Sequence, residues 1–136
     1  MRSAVVDASA FLDYLLRSPR MEEVESTLAS AEIEVHVPAL CDVEVVAALR
    51  REMRAQKMEA ARALQALRSY VDYPLTKYGH GPLLARALFL RANFTAYDAM
   101  YVALAELLGA ALLTTDRRLA RAARRHTSLE VLSGSR

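Results

Sequence analysis

The chain has 136 residues, the size of one globular domain, with 54% hydrophobic residues, 25% charged residues and a formal net charge of +2. This composition excludes an intrinsically disordered chain, and we expect one folded domain over residues 1–136. Charged residues interrupt every apolar stretch before the roughly 20 residues that a membrane helix needs, and Asp7 ends the first apolar run before it can form a signal peptide, so we expect a cytoplasmic protein with no membrane partner.

Strand-like and helix-like patterns alternate along the chain. The alternation of apolar and polar residues over 33–37 predicts a half-buried strand, Pro19 marks a helix start, and Gly109 marks a helix end. The predicted strands are 3–6, 33–37, 73–76, 111–114 and 129–132. The predicted helices are 10–16, 19–31, 41–55, 57–70, 83–92, 95–108 and 117–125. Strands separated by helices imply right-handed βαβ units, so the predicted fold is α/β, with a parallel sheet layered between helices.

Acidic residues stand near the points where the predicted strands end. Asp7 ends the first strand, Asp116 follows the fourth, Glu44 lies in the first turn of the helix after the second, and Asp98 lies in the first turn of the long sixth helix. Open α/β sheets bind ligands beyond the carboxyl ends of their strands. We therefore predict that the four acids face one cleft.

Each acid also has a purely structural interpretation, because helix N-termini favour acidic and capping residues. Asp7 or Ser9 could cap the first helix, Asp116 could cap the last, and Glu44 could complement the dipole of its helix. Thr95 and Asp98 have the spacing of a capping box, although Glu or Gln is the preferred acid in that motif.

Two considerations favour a shared site over four separate caps. Two carboxylates about 5 Å apart repel each other by roughly 3 kcal/mol at an effective dielectric constant near 20, and a divalent cation would relieve that repulsion. Asp98 also lies among apolar neighbours, where a cap alone does not require a charge. Oxygen ligands alone select Mg²⁺ or Mn²⁺ over zinc.

Other common catalytic groups do not join this constellation. His36 lies within a predicted strand, His80 in a glycine loop and His126 beyond the last helix, and we expect each at the surface rather than on a metal. Neither Ser9 nor Cys41 has a placed base, which argues against a serine or cysteine nucleophile. We expect Cys41 to be a small core residue.

Four sequence blocks span the chain nearly end to end: VVDAS at 5–9, CDVEVVAALR at 41–50, TAYDAMYVALA at 95–105 and LTTDRRL at 113–119. In these blocks the chain resembles the PIN-domain family and, within it, the VapC-type toxins of toxin–antitoxin pairs. The third block is the most specific, because it joins a carboxylate to a particular buried helix.

The resemblance implies a PIN-like three-layer α/β/α sandwich and an endoribonuclease with one or two Mg²⁺ or Mn²⁺ ions. It also implies a homodimer and inhibition by a cognate antitoxin protein. The family's catalytic and metal-binding acids carry over as Asp7, Glu44, Asp98 and Asp116, with Ser9 and Thr114 or Thr115 as supporting polar residues. None of the four acids is replaced, so an active enzyme is expected, with RNA products that carry 5′-phosphate and 3′-hydroxyl ends.

Contact with RNA must come from other residues, because an acidic cleft repels phosphate. Arginine accounts for 16 of the 18 basic residues, and its side chain binds phosphate bidentately. Arg117, Arg118 and Arg121 follow Asp116 and are candidates for contact with the RNA backbone, with an ordinary solvated helix face as the structural alternative. The apolar residues of 83–92 form either core or a dimer face.

Two rival functions remain open. A non-catalytic interaction module with a PIN-like fold would use its acids as caps and its arginines to bind RNA or a protein. It predicts no stabilisation by Mn²⁺ and no loss of function in Asp98→Asn. A phosphoacceptor or phosphatase domain would phosphorylate Asp7, but Ser9 stands where a haloacid-dehalogenase-type phosphatase would have its second aspartate.

Overall fold

The computed structural model describes residues 2–17 and 21–133. Its strands are β1 (Arg2–Val6), β2 (Ile33–Pro38), β3 (Thr76–Tyr78), β4 (Ala111–Thr114) and β5 (Val131–Ser133). Its helices are α1 (Ala8–Leu15), α2 (Met21–Leu28), α3 (Leu40–Arg54), α4 (Ala60–Asp72), α5 (Leu84–Phe89), α6 (Ala96–Leu108) and α7 (Arg117–His126). The predicted helix start at Pro19 lies outside the described residues.

The five strands form one sheet in the order β3-β2-β1-β4-β5, and every pair is parallel. The chain winds from β1 through β2 to β3, then crosses to β4 and continues to β5 on the other side of β1. With right-handed crossovers, this reversal places α1–α4 on one face of the sheet and α5–α7 on the other. The predicted three-layer α/β fold is confirmed, and its switch point lies between β1 and β4.

The core follows from this layering, because the central strands are covered on both faces. Val5, Val6, Leu112 and Leu113 have no exposed surface. Burial also extends along β2 from Val35 to Pro38, so the prediction of a half-buried strand was wrong. A strand flanked by β1 and β3 cannot keep one face in water when helices cover both.

The surface position expected for the histidines was wrong for His36. His36 is buried on β2, and its Nδ1 lies 2.8 Å from the Tyr78 hydroxyl. His80 is partly buried, and its Nε2 accepts a hydrogen bond from the Leu40 backbone at the start of α3. His126 is exposed as expected, and Cys41 is a fully buried core residue.

Several helices and strands begin or end at residues other than the predicted ones. The strand predicted at 73–76 begins at Thr76 instead, because α4 continues to Asp72 and Pro74 has no amide hydrogen for a strand ladder. The last strand begins at Val131, since the Leu129 amide donates to the Thr127 hydroxyl rather than to a neighbouring strand. Gln56, with a φ of 58°, separates α3 from α4.

Three further differences concern helices. α1 begins at Ala8, two residues before its predicted start, and α2 ends at Leu28 rather than at residue 31. The helix predicted over 83–92 is a short α5 between two 3₁₀ turns. Among the described residues, no helix has both the length and the apolar character that crossing a bilayer demands.

Candidate active site

Asp7 lies at the carboxyl end of β1, directly at the switch point of the sheet. One carboxylate oxygen accepts from the Ser9 hydroxyl at 2.7 Å and the Ala10 amide at 3.0 Å, and the other accepts from the Thr114 hydroxyl at 2.6 Å. Burial raises the pKa of Asp7 to about 7, although the three hydrogen bonds lower it, and the charge of Asp116 raises it further. Asp7 caps α1 and also interacts electrostatically with Asp116, so a capping role and a role in a shared site are compatible for this residue.

The supporting polar residues predicted from the sequence surround Asp7. The Thr114 hydroxyl donates to Asp7 and accepts from the Asp116 amide at 3.0 Å. The Ser9 oxygen accepts from the Thr115 amide at 3.3 Å and the Thr115 hydroxyl at 3.2 Å. Ser9, Thr114 and Thr115 therefore tie the end of β4 to the start of α1 and fix both Asp7 and the turn that carries Asp116.

Asp116 follows β4 and caps α7. Its Oδ1 accepts from the Arg118 amide at 2.9 Å and the Leu119 amide at 3.3 Å. These bonds use one carboxylate oxygen of a residue that is only partly buried. Asp116 raises the pKa values of both Asp7 and Asp98, so its charge acts on two of the other acids.

Asp98 lies in the first turn of α6, where the Thr95 hydroxyl accepts from the Asp98 amide at 3.1 Å. The helix cap is therefore Thr95, and helix capping does not require the carboxylate of Asp98. Burial raises the pKa of Asp98, and Asp116 raises it further, whereas Thr95 and Arg118 lower it. Thr95 and Arg118 therefore reduce, but do not cancel, the effect of burial and of Asp116 on the Asp98 carboxylate.

Glu44 lies near the start of α3. Its Oε1 accepts from the buried Tyr101 hydroxyl of α6 at 2.6 Å. Burial raises the pKa of Glu44, Tyr101 lowers it, Asp98 raises it, and Arg51 lowers it. Glu44 and Asp98 are thus close enough to influence each other, although they come from helices on opposite faces of the sheet.

The four acids form an electrostatic series in which Asp7 interacts with Asp116, Asp116 with Asp98, and Asp98 with Glu44. In the described residues, no three carboxylate, imidazole or thiol groups converge closely enough to form a preassembled metal site. The donors nevertheless fit a hard divalent cation, because all are carboxylate oxygens, and burial and neighbouring acids raise the pKa values of Asp7, Glu44 and Asp98. A cation would counter both effects.

Arginines line one side of these acids. A cleft of about 540 Å³ opens beside Ser9, Thr115 and Asp116, and its walls include Arg51, Arg117 and Arg118. Arg117 and Arg118 therefore lie beside Asp116, whereas Arg121 is exposed one turn further along α7 and does not line the cleft.

Sequence reasoning placed the four acids near one edge of the sheet, but it missed two of their partners. Tyr101 and Arg51 both act on Glu44, and neither contact was predicted. The motif that contains Asp98 places Tyr101 three residues later, on the same side of α6. That spacing is the one feature of the sequence that points to a role for Tyr101 near Asp98. The local sequence does not show that the Tyr101 hydroxyl contacts Glu44.

Comparisons with known proteins agree with the fold. The family model of the PIN domain matches residues 4–125. Ribonuclease VapC3 of Mycobacterium tuberculosis is 45% identical over 119 residues, which cover 87% of this chain and 85% of that protein. Ribonuclease VapC9 of the same species is 43% identical over 115 residues, which cover 85% and 87%.

Solved structures show the same fold at lower identity. The crystal structure of VapBC2 from Rickettsia felis, bound to a DNA fragment from its promoter, matches with a TM-score of 0.69 at 11% identity. The match covers 95% of this chain and 96% of that one.

Proposed function

This chain belongs to the PIN-domain family, and we propose that it is a metal-dependent endoribonuclease of the VapC type. One observation carries the proposal: four carboxylates from β1, α3, α6 and the end of β4 influence one another at the switch point of the sheet. The relatives VapC3 and VapC9 are named ribonucleases and align over most of this chain.

Asp7, Asp98 and Asp116 would hold Mg²⁺ or Mn²⁺, with Glu44 either as a further ligand or as the acceptor of a proton from the attacking water. When bound, the cation supplies a Lewis acid that polarises a phosphoryl oxygen and lowers the pKa of bound water. Ser9, Thr114 and Thr115 hold Asp7 in a fixed orientation through the hydrogen bonds described above. The products would carry 5′-phosphate and 3′-hydroxyl ends.

The substrate we propose is RNA, held by phosphate contacts beside the acids. Arg117 and Arg118 line the cleft next to Asp116, and Arg121 extends the same helix. Arg51 faces the same cleft from α3. Cations on two walls would draw a phosphate backbone toward a centre whose own charge is negative.

The partners we propose are a cognate antitoxin protein and a second copy of this chain. The antitoxin follows from the likeness to VapC-type proteins and to the VapBC2 assembly. A homodimer is supported by Leu84, Leu88 and Phe89, large apolar side chains that remain exposed on α5.

The test is cleavage of total RNA by the purified chain in Mg²⁺, Mn²⁺ or EDTA, with the product ends read by sequencing. We expect discrete metal-dependent cuts with 5′-phosphate ends. In Asp98→Asn the rate should fall about 100-fold or more, the size of effect seen when a group that stabilises developing charge is removed.

A matched control is Asp72→Asn, the same change at an exposed position near the end of α4. It should cleave like the wild type. If neither the wild type nor Asp98→Asn cleaved RNA in any metal, and RNA binding were retained, the non-catalytic interaction module would be favoured instead.

A further inference from the structure

Tyr101 lies one turn after Asp98 on α6, so the two side chains share one side of the helix. The ring is 1% exposed, and its hydroxyl donates to Glu44 Oε1 at 2.6 Å. A single helix therefore supplies one acid of the site and the hydrogen-bond donor that holds another.

Glu44 needs such a partner more than Asp7 and Asp116 do. The Asp7 carboxylate is held by two hydroxyls and a backbone amide, and the Asp116 carboxylate by two backbone amides. The glutamate side chain has one more rotatable bond than an aspartate, and the Tyr101 hydroxyl donates the hydrogen bond that holds its carboxylate.

Two neighbouring tyrosine hydroxyls in this region donate to different carboxylates. The Cys41 thiol, one turn before Glu44 on α3, lies beside the hydroxyls of both Tyr101 and Tyr70. Tyr70 in turn donates to Asp42 at 2.7 Å. With Cys41 fully buried and Tyr101 packed against it, the phenol proton of Tyr101 has Glu44 as its carboxylate acceptor.

We propose that Tyr101 is a positioning residue of the nuclease site: it holds Glu44 Oε1 so that Oε2 of the same carboxylate is presented to the divalent cation. This inference rests on the proposed function, from which it takes the role of Glu44 as a ligand. Hydrogen bonds to ligating carboxylates orient them and tune metal affinity. Tyr101 would act through Glu44 without touching the RNA.

The test is Tyr101→Phe, which removes the hydroxyl and keeps the buried ring. Mn²⁺ affinity, measured by electron paramagnetic resonance of the free ion, should fall about tenfold. At limiting Mn²⁺, kcat should fall together with the Mn²⁺ affinity. The KM for RNA should stay within about twofold of the wild-type value, because Tyr101 does not contact substrate.

Tyr70→Phe is the matched control. It removes a hydroxyl of similar burial that donates to a carboxylate of the same helix, but Asp42 lies outside the site. Mn²⁺ affinity should stay within about twofold of the wild type, with a similar change in the thermal unfolding midpoint to that of Tyr101→Phe.

A double-mutant cycle separates positioning from general loosening of the fold. If Tyr101 acts through Glu44, Tyr101→Phe should add no further loss of Mn²⁺ affinity in a Glu44→Gln background. The same loss in both backgrounds, a loss equal to that of Tyr70→Phe, or no loss at all would overturn the proposal. The Mn²⁺ affinity is measured without RNA. If the wild type bound Mn²⁺ but cleaved no RNA, the proposed nuclease function would be refuted, and the effect of Tyr101→Phe on Mn²⁺ affinity would still test the role of Tyr101.

Discussion

Asp7 shows how burial can outweigh hydrogen bonding at a single residue. Its carboxylate accepts three hydrogen bonds, each of which favours the ionised form, and its pKa still rises from 3.8 to about 7. The cause is the loss of hydration at a position with only 6% of its surface exposed. Without a cation, the folded protein therefore binds a proton here that the unfolded chain releases.

This shift predicts that the metal-free protein loses stability as pH rises. Between about pH 4 and 7 the folded state holds the Asp7 proton and the unfolded state does not, so the free energy of unfolding falls with pH and levels off above 7. A shift from 3.8 to about 7 corresponds to a loss of ~4 kcal/mol at most. Urea denaturation in EDTA at pH 5 and pH 8 measures it.

Asp7→Asn provides the comparison for this pH dependence. The amide cannot ionise, so the variant should show a smaller decrease between pH 5 and pH 8 and should exceed the wild type in stability at pH 8. A decrease of equal size in both proteins would mean that Asp7 is not the group responsible.

At the scale of the element, α6 is defined at both ends by local signals. Thr95 caps its first turn, and Gly109 ends it in the left-handed region at φ 61°. Between them, every residue from Ala99 to Ala105 is buried. The helix carries Asp98 and Tyr101 in its first two turns and is also joined to α5 by two hydrogen bonds from Arg86 to Glu106.

We predict that Gly109→Ala lowers the free energy of unfolding by about 1 kcal/mol. No atom obstructs an added Cβ at this position, so the cost is the positive φ alone. Urea denaturation measures the effect, and cleavage per folded molecule should be unchanged because Gly109 lies at the opposite end of α6 from Asp98.

Gly79→Ala is the control for this prediction. An added Cβ at Gly79 also meets no atom, but its φ lies outside the left-handed region. Its free energy of unfolding should stay within about 0.5 kcal/mol of the wild type. If the two variants were equally destabilised, the left-handed conformation would not be the cause.

At the scale of the whole molecule, one helix remains unusually apolar on its outer side. Leu84, Leu88 and Phe89 of α5 are 57%, 68% and 74% exposed, although Leu83 and Leu90 on either side are buried. Burying such a side chain fully contributes about 1.5–3 kcal/mol. A second copy of the chain packed on this surface would cover all three.

The proposed dimer predicts that Leu88→Glu combined with Phe89→Glu yields a monomer. Both positions point to solvent in the single chain, so the helix should form and the circular dichroism spectrum should be retained. Light scattering coupled to gel filtration measures the mass. The control is Leu64→Glu with Val71→Glu on α4, two apolar positions that are 51% and 68% exposed and that should leave the dimer intact.

A control pair that also produced monomers would show that added charge, rather than this surface, prevents association. A wild type that is monomeric at every concentration would refute the dimer itself.

The sequence by itself determined the alternation of strands and helices and placed Asp7 and Asp116 where strands end. These features depend on neighbours within a few residues: β-branched runs, caps such as Thr95, and Gly109. The same local logic failed at 73–76, where apolar and aromatic residues looked like a strand although Pro74 cannot join a ladder.

Only the tertiary structure decided which residues meet across the sheet. The burial of His36, the hydrogen bond from Tyr101 to Glu44 and the exposure of Leu88 and Phe89 all depend on how distant elements pack. Hydrophobic periodicity shows that a side chain is apolar or lies on one side of its helix, but not which group faces it. The raised pKa of Asp7 is also decided by the tertiary structure, because its cause is desolvation in the assembled core and not the residues next to Asp7 in the chain.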